Sequence, residues 1–187
     1  MLVLASGSPR REEILRGAGI RFVKQLPANV DETPREGEGA RDYVTRLALE
    51  KAHSIEAADD HIVLGADTTV VVDSAILEKP ANADDAARML ALLSGRAHHV
   101  ITGICLKSGS RVVVDSATTR VWFSRLTPRE IRDYAASGVP MDKAGAYGIQ
   151  GLASKYIDRI DGCFFNVMGL PISLVYRHLR GMAGSVV

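Results

Sequence analysis

The chain has 187 residues, 47% of them hydrophobic and 24% charged, which fits one globular domain with a substantial core. Lys and Arg number 23 against 22 Asp and Glu, a net charge of +1 that argues against a general nucleic-acid or membrane-surface binder and leaves any positive field local. Cys105 and Cys163 lie in apolar runs without C-x-x-C spacing and read as reduced core thiols. The N-terminus has no basic n-region, and its apolar run is too short for a signal peptide or a span, so the expected compartment is the cytoplasm.

Leu2-Val3-Leu4-Ala5 reads as a buried strand, Ser6-Gly7-Ser8 as a turn, and Pro9 as the first residue of a helix presenting Ile14, Leu15 and Ala18 on one face. Ser8 then stands at the N-cap, with Arg10 and Arg11 at N2 and N3. The positive end of a helix dipole disfavours two guanidiniums unless an anion joins them, and phosphate is the natural one. Gly17-Ala18-Gly19 ends that helix, residues 20–24 alternate like a strand, and residues 27–39 form a polar loop holding Asp31-Glu32-Thr33-Pro34. Residues 40–58 read as a helix with Val44, Leu47, Ala48 and Ile55 as its apolar stripe. Lys51 falls inside that stripe, about 20° from the direction of Val44, so it either snorkels out or reaches into a cleft.

Residues 61–66 read as a buried strand, Asp67-Thr68-Thr69 as an interruption, and Val70-Val71-Val72 as a second apolar run. Lys79 is extended because Pro80 follows it. Residues 83–93 form a helix opened by Asp84 and Asp85 and closed before Gly95. The runs 99–107 and 111–123 are β-rich and joined by Ser108-Gly109-Ser110, a hairpin signal. Thr127-Pro128-Arg129-Glu130 is a capping box for a helix ending near Ser137-Gly138. A glycine-rich loop at 142–151, a short strand at 155–160 and a helix from Gly169-Leu170-Pro171 through Leu179 complete the chain, with residues 181–187 frayed. The alternation of helices and strands around a central hairpin predicts an α/β fold with a mixed sheet and flanking helices.

Common site patterns are missing: there is no P-loop, no H-E-x-x-H and no G-x-S-x-G, and Gly145-x-x-Gly148-x-x-Gly151 lacks the preceding strand of a dinucleotide fingerprint. His98 and His99 are adjacent in a strand and face opposite ways, so they make no metal pair. His53, His61 and His178 show no partner. Several charges remain in places that stability alone does not favour. Asp67 lies between two apolar runs, where a lone carboxylate is costly to bury; a turn aspartate bonded to its own backbone explains it equally well. In isolation Asp31-Glu32 reads as a solvated loop and Lys51 as a snorkelling side chain. Together, Glu32 and Asp67 can hold a divalent cation and activate water, while Arg10, Arg11, Lys51 and Lys79 can neutralise a polyphosphate.

At these residues the chain resembles the Maf family of nucleoside triphosphate pyrophosphatases over nearly its whole length. The resemblance rests on Ser6-Gly7-Ser8-Pro9-Arg10-Arg11, Asp31-Glu32, Leu49-Glu50-Lys51-Ala52, Gly65-Ala66-Asp67-Thr68, Glu78-Lys79-Pro80 and the run from Asp142 through Gly151. It implies a single Maf-like domain over residues 1–187, an elongated α/β fold with two lobes around a cleft, shared with inosine triphosphate pyrophosphatases. It also implies hydrolysis between the α and β phosphates to monophosphate and pyrophosphate, with Mg²⁺ or Mn²⁺, in a house-cleaning role. The residue matching Asp67 is the general base in such enzymes; Glu32 and Asp67 place the metal; Lys51 and Lys79 join Arg10 and Arg11 on the phosphates, with Ser8 capping the anion. Arg11, Thr68 and Gln150 match positions that separate the family's branches, and here they resemble the dTTP/UTP branch, with modified pyrimidine nucleotides also open. A glutamine amide can match both the N3–H and a carbonyl of thymine or uracil, whereas glutamate only accepts, which suits a guanine edge.

The expected partner is the nucleotide, with no nucleic acid or membrane, and the family implies a homodimer. Two rivals stay open: the same chemistry on 7-methyl-GTP, and a non-catalytic nucleotide-sensing regulator of cell division.

Overall fold

A computed structural model describes residues 1–28 and 30–182. The elements in chain order are β1 (Leu2–Ala5), α1 (Pro9–Gly17), β2 (Phe22–Gln25), α2 (Ala40–His53), β3 (Ile62–Val72), β4 (Ala75–Leu77), α3 (Ala83–Leu93), β5 (Ala97–Ser108), β6 (Arg111–Phe123), α4 (Pro128–Ala136), β7 (Ile157–Asp161), α5 (Phe164–Met168) and α6 (Ile172–Met182), with 3₁₀ turns at Val139–Asp142, Ala144–Ala146 and Gly151–Tyr156. The strands form a seven-stranded sheet in the order β2-β1-β3-β5-β6-β7, with β4 paired to β3. β1 runs parallel to β2 and β3, while β3/β4 and β6/β7 are antiparallel. The mixed sheet expected from the sequence is therefore present.

The chain divides into two compact units. One comprises Met1–Thr68, Thr102–Ala117 and the chain from Gly169 on; the other comprises Thr69–Ile101 and Thr118–Met168. The first unit contains an apolar cluster of Val3, Ala5, Ala48, Ala52, Ile55, Val63 and Cys105. The second is built around Leu90, Leu93, Val121, Phe123, Tyr134, Tyr147 and Tyr156.

Several local expectations give way to tertiary structure. The interruption foreseen at Asp67-Thr68-Thr69 does not exist, because β3 runs unbroken from Ile62 to Val72. α2 stops at His53, five residues before the expected end at Ala58; Ser54 caps it, its N–H bonding the Glu50 carbonyl and its hydroxyl the Lys51 carbonyl at 2.9 Å. Ala18 is exposed, leaving Ile14 and Leu15 as the buried face of α1. The strand foreseen at 20–24 is Phe22–Gln25, and α5 was not foreseen. Both cysteines are free thiols, but only Cys105 is buried. Gly181 and Met182 belong to α6, and the rest of the expected frayed end, residues 183–187, lies outside the described residues.

The seating of α2 on the sheet decides where the charges fall. A Cβ at Gly65 on β3 would lie 2.2 Å from the Ala48 carbonyl oxygen and 2.8 Å from the Ala52 nitrogen. At Gly103 on β5 it would lie 2.3 Å from the Val44 carbonyl oxygen. These glycines let the helix backbone rest directly on two strands. Gly65→Ala forces the helix off the sheet, because backbone cannot rotate aside as a side chain can. It should cost about 3 kcal/mol, at the upper end of ordinary overpacking. Urea unfolding checks this: the midpoint falls with an unchanged slope, and an unmoved midpoint contradicts the seating.

Candidate active site

Period-two alternation along β3 places Asp67 on the face that Gly65 turns toward α2, and Thr68 on the opposite face. Lys51, on the sheet side of α2 beside Ala48 and Ala52, meets Asp67 there. Its ammonium lies 2.6 Å from Asp67 Oδ1 and 2.6 Å from Glu32 Oε1. Lys51 thus neither snorkels to solvent nor stands unpaired: it is 8% exposed and joins two carboxylates from distant parts of the sequence. Asp67 is 7% exposed, and its Oδ2 is buried without a hydrogen-bond partner in the described structure. Burial raises its pKa, against the opposing pull of the Lys51 and Arg11 charges.

Glu32 comes from a segment without helix or strand, which α2 nevertheless pins at three consecutive carbonyls. Arg46 donates to the Asp31 and Thr33 oxygens at 3.4 and 3.2 Å, and the Tyr43 hydroxyl donates to the Glu32 oxygen at 2.8 Å. Arg46 is itself held by a two-pronged ion pair with Glu38 at 2.6 and 2.8 Å, which keeps the Glu38 carboxyl charged down to about 2. The sequence reading missed Arg46 and Tyr43; the available signal was their place one and two turns ahead of Lys51 on one helix.

Arg11 corrects the first expectation about its helix. Its Nε donates to the Gly169 carbonyl at 2.9 Å, and its terminal nitrogens donate to Ser6 Oγ at 3.1 Å and Thr68 Oγ1 at 3.2 Å. Burial lowers its pKa while the Asp67 charge raises it. Protein acceptors thus take three of its five N–H groups, so an outside anion is not the only partner of this guanidinium at the helix start. Ser8 does occupy the N-cap, but its side chain makes no capping bond; its N–H donates to Ser6 Oγ at 3.1 Å. Arg10 is half-buried beside it.

The second unit holds Lys79 and Gln150, both exposed. Thr69 donates to Glu78 Oε1 at 2.6 Å, and the Gly145 N–H bonds the Glu78 carbonyl at 3.2 Å, tying the Glu78-Lys79-Pro80 segment to the glycine-rich loop. Tyr147 anchors that loop: its hydroxyl lies 2.7 Å from His98 Nε2, and its ring packs edge-on against Phe123 and His98. Burial pushes the His98 pKa down to about 3, so the ring is neutral and structural. His178, read as partnerless, lies 2.8 Å from Asp115 Oδ2.

Among the described residues no three His, Cys, Asp or Glu side chains converge as a metal cluster. The Glu32/Asp67 pair still fits a hard divalent cation. Mg²⁺ is commonly held by one or two carboxylates and the substrate's own phosphates, and the unbonded Asp67 Oδ2 is an oxygen donor of that kind. No helix among the described residues is long and apolar enough to cross a membrane.

The family model of Maf-like proteins matches residues 1–182. The chain belongs to the Maf family. Maf relatives called dTTP/UTP pyrophosphatase include that of Koribacter versatilis, 49% identical over 180 residues covering 96% of this chain and 93% of that one. Those of Syntrophomonas wolfei (51% over 176 residues, covering 92% and 93%) and Vibrio parahaemolyticus (49% over 173 residues, covering 91% of each) carry the same name. A HAM1 protein structure from Coxiella burnetii aligns with 67% of this chain and 73% of that one at TM-score 0.46 and 18% identity, too slight a likeness to bear on the Maf fold.

Proposed function

We propose that this Maf chain is a nucleoside triphosphate pyrophosphatase acting on dTTP and UTP, with modified pyrimidine nucleotides as further substrates, in a cytoplasmic house-cleaning role. The observation that carries the reading is Asp67: a buried carboxylate with one oxygen bonded to Lys51 and the other unbonded. An oxygen of that kind is suited to take a proton.

In the proposed reaction the Asp67 carboxylate accepts a proton from water while the water oxygen bonds to the α-phosphorus. The bridge between the α and β phosphates breaks, and pyrophosphate leaves. Lys51 and Arg11 favour the charged form of Asp67, opposing the effect of burial. Arg10, Arg11, Lys51 and Lys79 neutralise the triphosphate, and Ser8 with nearby backbone N–H groups caps it. A guanidinium has five N–H bonds, so the three protein acceptors of Arg11 leave two for substrate. Glu32 and Asp67 would hold Mg²⁺ or Mn²⁺, which when bound supplies further neutralisation of the triphosphate. Thr68 and Gln150 read the base. Residues 1–187 act as a single Maf-like domain, and a homodimer is the proposed assembly.

A panel of triphosphates assayed for pyrophosphate release tests this reading. dTTP and UTP should be turned over with the highest kcat/KM, and Gln150→Glu should move the preference toward 7-methyl-GTP. A wild-type protein preferring 7-methyl-GTP overturns the pyrimidine assignment; one that binds dTTP with Mg²⁺ and never hydrolyses it is the nucleotide-sensing regulator.

A further inference from the structure

We infer that Thr102 is a positioning residue for substrate selection, fixing the Thr68 hydroxyl and, through it, the plane of the Arg11 guanidinium. The inference rests on the proposed contact of Thr68 and Arg11 with substrate.

Thr102 lies on β5 and is fully buried, with its Oγ1 2.9 Å from Thr68 Oγ1. Thr68 Oγ1 also receives the Arg11 N–H at 3.2 Å and lies 3.3 Å from the Gly169 carbonyl, which takes Arg11 Nε at 2.9 Å as well. A hydroxyl has one hydrogen and two lone pairs. If Thr68 gives its hydrogen to Gly169, its two acceptor positions are filled by Arg11 and by the Thr102 O–H. Thr102 then removes the last freedom of the Thr68 hydroxyl, and Arg11 is held at both ends by Gly169 and Thr68.

Two features argue that this hydroxyl serves more than packing. Valine has nearly the same shape and would fill a fully buried strand position without a hydroxyl to satisfy. Alternation also turns Thr102 away from α2, because its neighbour Gly103 rests against the Val44 carbonyl. The Lys51–Asp67 pair lies on that other face, so a change at Thr102 reaches the substrate through Thr68 and Arg11 and leaves the Lys51–Asp67 hydrogen bond in place.

The test compares wild type with Thr102→Val, Thr102→Ser and Thr68→Val, measuring kcat and KM for dTTP and 7-methyl-GTP and thermal unfolding for each. Thr102→Val should raise KM for dTTP about fivefold, the size expected for one lost hydrogen bond, with kcat within about twofold and reduced preference for dTTP. Thr102→Ser should restore wild-type values, and adding Thr102→Val to Thr68→Val should change nothing further. If the valine variant does not fold, Thr102→Ala removes the same hydroxyl and carries the same expectation. Unchanged KM and preference in a folded variant, or equal impairment by Ser and Val, overturns the inference while leaving the proposed function standing. Wild-type protein inactive on dTTP and UTP overturns both.

Discussion

Replacing Asp67 with Asn is expected to lower turnover of dTTP by about 10²–10⁴-fold, the usual contribution of a positioned general base, while leaving the protein at least as resistant to heat. The two effects have one cause. Burial disfavours the Asp67 carboxylate more than Lys51 and Arg11 favour it, so its pKa is raised. The charge therefore costs the fold free energy that its neutral isostere does not. Lys51 keeps a partner in the variant, because Glu32 Oε1 also lies 2.6 Å from its ammonium. Parallel assays of pyrophosphate release and thermal unfolding decide this. Retained turnover removes Asp67 from the chemistry, and a large fall in thermal stability makes it a structural residue.

Lys51→Met should have the opposite balance, losing stability and activity together. The pair it breaks is nearly enclosed, with Lys51 and Asp67 side chains 10% and 11% exposed. Removing one partner of a buried pair costs about 3–5 kcal/mol. The loss depends on pH in a defined direction. Without Lys51 the Asp67 pKa rises further above its unfolded value, so the folded state binds the proton more tightly than the unfolded chain does. Stability is then fully present at low pH and is lost as pH rises through the folded pKa. Protonating an ordinary aspartate costs about 1.4 kcal/mol per pH unit above its reference value, so the loss is smaller at about pH 5 than at about pH 8. Denaturant unfolding of metal-free protein at the two pH values measures the difference. An equal loss at both contradicts a role for Lys51 as the counter-charge of Asp67.

Local rules recovered much of the fold. Pro9 at the start of α1, the Thr127/Glu130 capping box of α4 and the hairpin between β5 and β6 are written in adjacent residues, and the structure has them. The six motifs also identified the family. Hydropathy failed at β3, where Asp67-Thr68-Thr69 looks like a break between two strands. Each of those polar side chains has a partner outside the strand: Lys51 for one Asp67 oxygen, Arg11 and Thr102 for Thr68, Glu78 for Thr69. A strand can carry three polar residues through the core when partners converge on all of them, and no local pattern announces those partners. The protein partners of Arg11 were hidden for the same reason: its acceptors Ser6, Thr68 and Gly169 become visible only once the chain is folded. The early end of α2 likewise lies at Ser54, whose hydroxyl bonds back to the Lys51 carbonyl, a cap that the apolar stripe running on to Ile55 conceals.

Product analysis of dTTP incubated with the protein and Mg²⁺ tests the central claim most directly. dTMP and pyrophosphate should appear in equal amounts; dTDP with inorganic phosphate, or bound dTTP that stays intact, would contradict cleavage between the α and β phosphates.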